Sequence, residues 1–274
     1  MTSLFRCPIC GEPLTREERS YTCPRRHSYD IAKEGYTHLL PANLKHSTAP
    51  GDDKGMAAAR RDFLSRGYYA PLLDALCREI NARCGDTPSV LDVGCGEGYY
   101  TAGIHHALLA EGKTPRTAGT DISKAILRLA AKREKAVEFA VASSARLPVE
   151  NASVDVLLNC FSPLFPEEFR RVLKPGGYFF YVVPAAEHLW ELKQVLYDAP
   201  YPNEEKETPY EGFAYEAIVP VESTIHLENQ ADIHALFQMT PYYWKTPKSG
   251  AERLAQLDAL DCRISFRIHI FHKL

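Results

Sequence analysis

From residue 57 onward, the spacing of the hydrophobic residues predicts two helices. Short strand-like runs and helical runs then follow each other in alternation. Leu72, Leu73, Leu76 and Ile80 recur at helical spacing and predict a helix over 70–83, after a first helix over 57–66. Short apolar runs predict strands at 90–93, 117–120, 137–142, 154–160 and 178–184. Helical segments lie between them, ending at 110 and covering 123–135 and 167–173. Strands that alternate with helices predict a parallel sheet covered on both faces.

The two ends of the chain have a different pattern. Residues 214–228 are predicted to be extended, residues 230–238 and 249–259 helical, and the clean alternation over 262–271 predicts an edge strand. Residues 1–40 are rich in cysteine, proline and arginine, which is typical of a small module stapled by a metal. We therefore predict a zinc-binding domain at 1–40, a linker at 41–56 and a larger α/β domain at 57–274.

Composition narrows the class of protein only moderately. The chain has 274 residues, of which 45% are hydrophobic and 24% charged, as in an ordinary globular protein. Charges interrupt every apolar run before it reaches membrane-spanning length, and the N-terminus shows no signal peptide, so a cytoplasmic protein without a membrane partner is expected. The net charge is −3, yet residues 1–66 hold eleven Lys/Arg against eight Asp/Glu. This asymmetry is a weak pointer to a polyanion near the N-terminus, and a mixed solvated surface explains it equally well.

A glycine-rich loop follows the predicted strand at 90–93 and opens a helix, which is the context that a nucleotide-binding loop requires. Its glycines are Gly94, Gly96 and Gly98. A dinucleotide fingerprint needs a glycine at the sixth position, where this chain has Tyr99. The spacing instead resembles motif I of class I methyltransferases, in which the loop faces the methionine part of S-adenosylmethionine.

Carboxylates near this loop have a physical use in binding such a cofactor. Asp92 lies under the loop, where its charge complements an ammonium and a sulfonium. Asp121 ends the second strand, where a carboxylate can accept both ribose hydroxyls. The third strand leads to Ser143 in a loop that flanks the adenine in the methyltransferase family; an acidic residue is common there and Ser144 replaces it.

The N-terminal cysteines have the spacing of a zinc knuckle. Cys7 and Cys10 form one Cys-x-x-Cys pair, and Cys23 and His27 follow as a second pair. Four such ligands complete a tetrahedron with no open position, so the zinc is predicted to be structural. A reduced surface cysteine pair and a redox Cys-x-x-Cys are the alternatives, although the redox motif normally needs a thioredoxin-like context.

Together the two motifs resemble the bacterial 23S rRNA guanine-N1 methyltransferases, the RlmA (RrmA) family. The resemblance extends over most of the chain, in the segments 29–36 (YDIAKEGY), 39–41 (LLP), 50–52 (PGD), 59–64 (ARRDFL), 94–101 (GCGEGYYT), 188–193 (HLWELK) and 238–241 (QMTP). It implies a class I, Rossmann-like α/β fold with a mostly parallel seven-stranded sheet, preceded by the zinc-binding domain. It also implies a homodimer that transfers a methyl group to N1 of a guanine in a hairpin of 23S rRNA.

The same resemblance assigns residues to the cofactor and the target base, and the basic residues of the zinc-binding domain are separately expected to contact the RNA. By position, Tyr69, Gly96, Glu97 and His188 match residues that the family uses around the cofactor. Near strand four the family usually shows an aromatic-Ala-Pro run, where this chain has 159–163 (NCFSP). Phe161 is then the candidate for stacking on the target base, with Asn159 or Ser162 on its edge. The expected contacts to the hairpin backbone are Arg16, Arg19, Arg25, Arg26 and Lys33.

Two other functions are compatible with these motifs. One is a methyltransferase of a small molecule whose zinc head is a lid or dimer element. The other is a catalytically silent RNA-binding protein that holds the cofactor as a sensor.

Overall fold

The computed structural model describes residues 2–41 and 54–274. The predicted linker at 41–56 and the 50–52 segment therefore lie mostly or wholly outside the described residues. Within the N-terminal part, four strands form an antiparallel sheet in the order β1-β2-β3-β4. Their bounds are β1 Thr2–Arg6, β2 Pro13–Arg16, β3 Ser20–Thr22 and β4 Ser28–Asp30. We call this unit the zinc ribbon.

The main sheet has eight strands among the described residues, and its order is β11-β12-β10-β9-β6-β7-β8-β5. Their bounds are β5 Tyr36–His38, β6 Ser89–Val93, β7 Arg116–Asp121, β8 Glu138–Val141, β9 Val154–Cys160, β10 Leu173–Pro184, β11 Phe213–Leu227 and β12 Leu260–Lys273. The expected mostly parallel α/β sheet is confirmed, because β5 to β10 pair in parallel and only β11 and β12 are antiparallel.

The prediction of seven strands is wrong, because β5 adds an eighth. Tyr36 to His38 pair in parallel with Phe139 to Val141 of β8. The three-residue strand covers peptide groups of β8 that would otherwise be unpaired at the edge of the sheet. So short a strand carries no detectable periodicity, and it belongs to the main sheet although it lies inside the segment predicted as the zinc-binding domain.

The prediction that residues 262–271 form an edge strand is also wrong. These residues lie in β12, which pairs with β10 on one side and with β11 on the other. The edge strand is β11, which pairs with β12 from Phe213 to Leu227. The alternation over 262–271 indicates that the two faces of the strand are packed differently. It does not indicate whether one or two strands pair with it.

Helices cover both faces of the main sheet, as predicted. Their bounds are α1 Lys54–Ser65, α2 Ala70–Asn81, α3 Tyr99–Ala110, α4 Lys124–Arg133, α5 Pro166–Val172, α6 Trp190–Leu196, α7 Gln230–Gln238 and α8 Lys248–Leu254. Helix α8 is shorter than the helix expected over 249–259. Residues 174–177 (KPGG) lie inside β10, where the pairing of β10 with β9 is irregular. No helix in the described ranges is long and apolar enough to span a bilayer.

The zinc ribbon packs directly on the main sheet. Phe5 and Leu14 belong to the same buried cluster as Leu91 and Leu157 of the central strands. The Arg6 amide also donates a hydrogen bond to the Pro148 carbonyl, at 2.7 Å. The ribbon therefore shares its hydrophobic core with the larger domain, and its folding is coupled to that domain.

Candidate functional site

The four predicted zinc ligands converge in the structure. Their ligand atoms all lie within 4.8 Å of one another. Cys7 and Cys10 come from the turn between β1 and β2, and Cys23 and His27 come from the turn between β3 and β4, at the same end of the ribbon. His27 Nδ1 lies 3.4 Å from Cys7 Sγ and 3.3 Å from Cys23 Sγ. Three sulfurs and one imidazole nitrogen fit a structural zinc ion with no coordination position left for a substrate.

The glycine loop lies at the carboxyl ends of β6 and β7. The amides of Gly94 and Cys95 both donate to the Thr120 carbonyl of β7, at 2.8 and 2.9 Å. Gly94, Gly96 and Gly98 all have positive φ angles, of 76°, 56° and 83°. Such angles strain any residue with a Cβ, so the loop needs glycine at these positions.

Asp92 lies below the loop and is 2% exposed. One carboxylate oxygen accepts a hydrogen bond from the Thr101 hydroxyl at 2.5 Å, whereas Oδ1 is buried and has no hydrogen-bond partner among the described residues. Burial raises the pKa of Asp92 to about 7; the Thr101 hydrogen bond opposes this rise, and the nearby Asp121 and Glu97 add to it. A buried acceptor without a partner, surrounded by other carboxylates, fits a cationic ligand such as S-adenosylmethionine.

The other two carboxylates of the site have protein partners. Glu97 is 1% exposed and forms an ion pair with Arg133 of α4, at 2.5 Å. Asp121 accepts hydrogen bonds from the backbone amides of Gly96 at 3.1 Å and Ser123 at 2.8 Å. These bonds hold Asp121 at the carboxyl end of β7, where the ribose contact is predicted.

Ser143 lies just beyond the end of β8. Its Oγ accepts a hydrogen bond from the Ala145 amide at 3.3 Å. It also lines a cavity of about 640 Å³ between the loop that follows β8 and the Cys7–Gly11 turn of the zinc ribbon. The cavity shows that the adenine side of the predicted cofactor site and the zinc ribbon are neighbours.

Tyr69 and His188, which are far apart in sequence, lie next to each other in the structure. The Tyr69 hydroxyl lies 3.4 Å from His188 Nε2, and the Ser265 amide donates to His188 Nδ1 at 3.2 Å. Burial lowers the pKa of His188 to about 3, with the Lys193 charge adding to the effect, so this imidazole is neutral at physiological pH. It is therefore suited to a hydrogen bond and not to an ion pair.

Sequence reasoning missed Phe266 of β12, which joins these groups. Its ring centre lies 5.0 Å from Tyr69, 4.5 Å from His188 and 5.6 Å from Phe161. Phe266 is one of several apolar residues in an alternating strand, so nothing in the sequence distinguishes it. It connects the predicted cofactor residues to the predicted base-stacking residue.

The three candidate residues for the target base follow β9. Phe161 has a φ of 55°, and 47% of its surface is exposed. Asn159 is fully buried, with Nδ2 2.6 Å from Ser162 Oγ, and its Oδ1 lacks a hydrogen-bond partner among the described residues. Ser162 Oγ donates to the Val93 carbonyl at 2.9 Å. Asn159 and Ser162 thus connect this segment to the strand below the glycine loop, and Phe161 presents an exposed ring beside it.

The five predicted RNA contacts are all exposed on the ribbon, yet the structure does not bring them together. Arg25 and Arg26 lie in the zinc-binding turn between β3 and β4. Arg16, Arg19 and Lys33 lie at the opposite end, because Arg16 ends β2 and the Ile31 amide donates to the Arg19 carbonyl at 2.8 Å. Any RNA contact by the ribbon is therefore divided between two separate basic groups.

Comparison with known proteins agrees with this combination of parts. A family model described as the N-terminal region of RlmA, a zinc ribbon, matches residues 5–48, and a methyltransferase-domain model matches residues 90–177. Among solved structures, the YcgJ protein from Bacillus subtilis superposes with a TM-score of 0.51 at 17% identity, covering 73% of this chain and 97% of that chain. That similarity supports the methyltransferase fold alone.

Two curated relatives extend over nearly the whole chain, and a third matches 69% of it. The 23S rRNA (guanine(748)-N(1))-methyltransferase of Streptomyces fradiae is 32% identical over 264 residues, which cover 93% of this chain and 91% of the relative. YxjB of Bacillus subtilis, which bears a provisional 23S rRNA (guanine-N(1)-)-methyltransferase name, is 33% identical over 281 residues and 98% of this chain, covering 96% of the relative. A Micromonospora griseorubida protein with a similar provisional name is 39% identical over 209 residues, or 69% of this chain and 68% of the relative. With its zinc ribbon and its carboxylate-lined glycine loop, the chain belongs to the RlmA family of 23S rRNA (guanine-N1-)-methyltransferases.

Proposed function

We propose that this protein transfers a methyl group from S-adenosylmethionine to N1 of a guanine in a hairpin of 23S rRNA. The observation that carries the proposal is the presence of two sites on one packed core. One is a closed zinc cluster, and the other is a glycine loop underlain by the partnerless carboxylate oxygen of Asp92. Relatives that align with nearly all of the chain are named for this reaction.

The cofactor, when bound, supplies an activated methyl group on a positively charged sulfur. The chain has to bind that charge and orient the acceptor in line with the methyl group. We assign the charge complementarity to Asp92, the ribose contact to Asp121 and the adenine side to Ser143. Tyr69, Glu97 and His188 complete the cofactor site with the three glycines.

The acceptor nitrogen lies on the Watson–Crick edge of guanine and is hidden in a paired base. The target must therefore be unpaired or flipped out of its stack before it can react. The exposed Phe161 offers a stacking surface, and the next residue, Ser162, lies against Gly94 of the glycine loop. We place the edge of the base against Asn159 and Ser162, which contact each other and flank Phe161 in the chain.

The direct test is incubation with tritiated S-adenosylmethionine and unmodified 23S rRNA, followed by mapping of the labelled nucleotide. Label at N1 of a hairpin guanine supports the proposal. Label only in small molecules supports the small-molecule methyltransferase, and retained RNA binding without label supports the cofactor sensor. Both of these outcomes overturn the proposal.

Cofactor affinity is expected to rise with pH through neutrality. The pKa of Asp92 is about 7, so the carboxyl group is mostly neutral at pH 6 and mostly ionised at pH 8. Because a cationic ligand favours the ionised form, binding should tighten roughly tenfold over this range. Calorimetric titration with S-adenosylhomocysteine, whose ammonium group is retained, measures the effect. Asp92→Asn should remove most of the dependence of affinity on pH. The control Asp62→Asn, on the exposed face of α1, should leave that dependence unchanged. An unchanged pH dependence in Asp92→Asn contradicts the assignment of Asp92 to the cofactor's positive charge.

The basic residues of the zinc-binding turn are expected to contact RNA phosphates. Replacing Arg25 and Arg26 by glutamine should weaken hairpin binding. It should also make the slope of log affinity against log salt concentration shallower, by the amount expected for the loss of about two phosphate contacts. Cofactor affinity should stay the same, because both side chains are exposed on the ribbon. Filter binding at several salt concentrations measures this, with Arg16→Gln/Arg19→Gln at the other end of the ribbon as the comparison. Unchanged RNA affinity in the Arg25/Arg26 variant would make that turn purely structural.

We further propose that the protein acts as a cytoplasmic homodimer and that residues 1–40, 41–56 and 57–274 are its zinc-binding domain, linker and catalytic domain. Light scattering during size-exclusion chromatography should give twice the chain mass of 30.8 kDa. A monomeric mass at micromolar concentration contradicts the dimer.

A further inference from the structure

Helix α1 lies beside the glycine loop and is linked to it through Arg133. Phe63 and Leu64 are buried and pack α1 against the core, while the exposed residues of its last turns face away. Arg133 of α4 donates a hydrogen bond to Ser65 Oγ at 3.1 Å and also forms the ion pair with Glu97. The carboxyl end of α1 is thereby fixed next to the loop.

Arg60 lies on the same face of α1 as Phe63 and Leu64, because residues three and four apart share a helix face. A Cβ built on Gly96 would lie 3.8 Å from Arg60 Nη1. Burial raises the pKa of Glu97, and the charges of Arg133 and Arg60 both oppose that rise. The Arg60 guanidinium is therefore beside the glycine loop and close to the acidic groups below it.

The charges around the loop suit only part of an S-adenosylmethionine molecule. Asp92, Glu97 and Asp121 form a negative group that favours the ammonium and the sulfonium. The methionine part also carries a carboxylate, which those three groups repel and which needs a cation. The Arg60 guanidinium lies on the side of Gly96 where a side chain would project, with Nη1 3.8 Å from the position of a Cβ there.

We propose that Arg60 binds the carboxylate of the methionine portion of S-adenosylmethionine. A guanidinium presents two parallel N–H groups that match a carboxylate, and the glycine at position 96 leaves room for that approach. The role rests on the cofactor use in the proposed function but not on the RNA substrate. It makes Arg60 the residue that distinguishes intact S-adenosylmethionine from its decarboxylated form.

The test is calorimetry with two ligands that differ only in this carboxylate, S-adenosylmethionine and decarboxylated S-adenosylmethionine. Arg60→Ala should weaken binding of the first by roughly tenfold to a hundredfold, the range for a lost charge-assisted hydrogen bond. Its affinity for the second should stay within about twofold of the unmodified protein. Arg61→Ala is the matched control, because Arg61 is the next residue on α1 but is exposed and paired with Asp62 at 2.6 Å.

Three outcomes decide the proposal. Selective loss for the carboxylate-bearing ligand supports it. Equal loss for both ligands would mean that Arg60 only maintains the loop, and an unchanged affinity would mean that it has no role; both overturn it. Selective loss without any label in rRNA would leave this inference intact and refute the RNA substrate, so the two failures are distinguishable.

Discussion

Replacing Cys10 by serine is expected to release the zinc ion, unfold the zinc ribbon and abolish methylation of RNA. Cys10 Sγ lies 3.7 Å from Cys23 Sγ in a closed set of four ligands, so its loss leaves too few ligands for a structural zinc site. Metal binding by such small units contributes on the order of 10 kcal/mol to their folding. The ribbon is too small to fold on its remaining apolar contacts alone.

The same variant should lower the melting temperature of the whole chain. Phe5 and Leu14 of the ribbon share a buried cluster with Leu91 of the main sheet, so unfolding of the ribbon exposes part of that core. The glycine loop is built from β6 and β7 and should still bind the cofactor. Metal analysis, thermal unfolding and calorimetry with S-adenosylhomocysteine measure the three effects separately.

Cys77→Ser is the matched control for this experiment. Cys77 lies on α2, outside the zinc cluster, and its substitution should leave the zinc content at one ion per chain. Full zinc content and full RNA methylation in Cys10→Ser would show that the cluster is not the predicted metal site.

Gly94→Ala is expected to weaken cofactor binding by at least roughly 30-fold, equivalent to about 2 kcal/mol. Gly94 has a φ of 76°, which strains an alanine, and a Cβ at this position would overlap the Ser162 side chain. Overlap of this kind in a packed site typically costs about 1–3 kcal/mol, and a left-handed backbone adds about 1–2 kcal/mol. The loop must shift to relieve the overlap, which moves it away from the cofactor.

Two companion variants separate the overlap from the backbone strain. Gly96→Ala has a similar φ, but the nearest atoms to its Cβ lie 3.7 Å away, so we expect a smaller loss of affinity. The double variant Gly94→Ala/Ser162→Gly removes the group that Gly94→Ala would meet and should recover part of the affinity. Equal losses in all three variants would mean that contact between the glycine loop and Ser162 does not limit binding.

The cofactor loop and the zinc cluster could be predicted from the sequence because their chemistry is local. The four zinc ligands are two short pairs, each within one turn, and a metal needs them at a single point whatever the rest of the chain does. The glycine loop is likewise bounded by a strand and a helix whose periodicities are visible. The strand–helix alternation between residues 89 and 184 is confirmed for the same reason.

Contacts between distant segments could not be predicted in this way. Phe266 touches Tyr69, His188 and Phe161, although they lie in four separate segments, and no local pattern marks a residue for such a role. Arg60 is one arginine of an adjacent pair on α1, and only the packing of that helix places its side chain and not that of Arg61 beside Gly96.

The sequence by itself determined the alternating strands and helices between residues 89 and 184, the ligand set of the zinc cluster and the position of the glycine loop, because these depend on neighbouring residues. Only the tertiary structure decided the neighbours of each strand, which placed β5 and β11 at the two edges of the sheet. It also separated Arg25 and Arg26 from the other basic residues of the ribbon. The order of the strands and the positions of charged side chains on the surface result from long-range packing of apolar faces. Many different strand pairings would bury those faces equally well, so only the assembled core selects one of them.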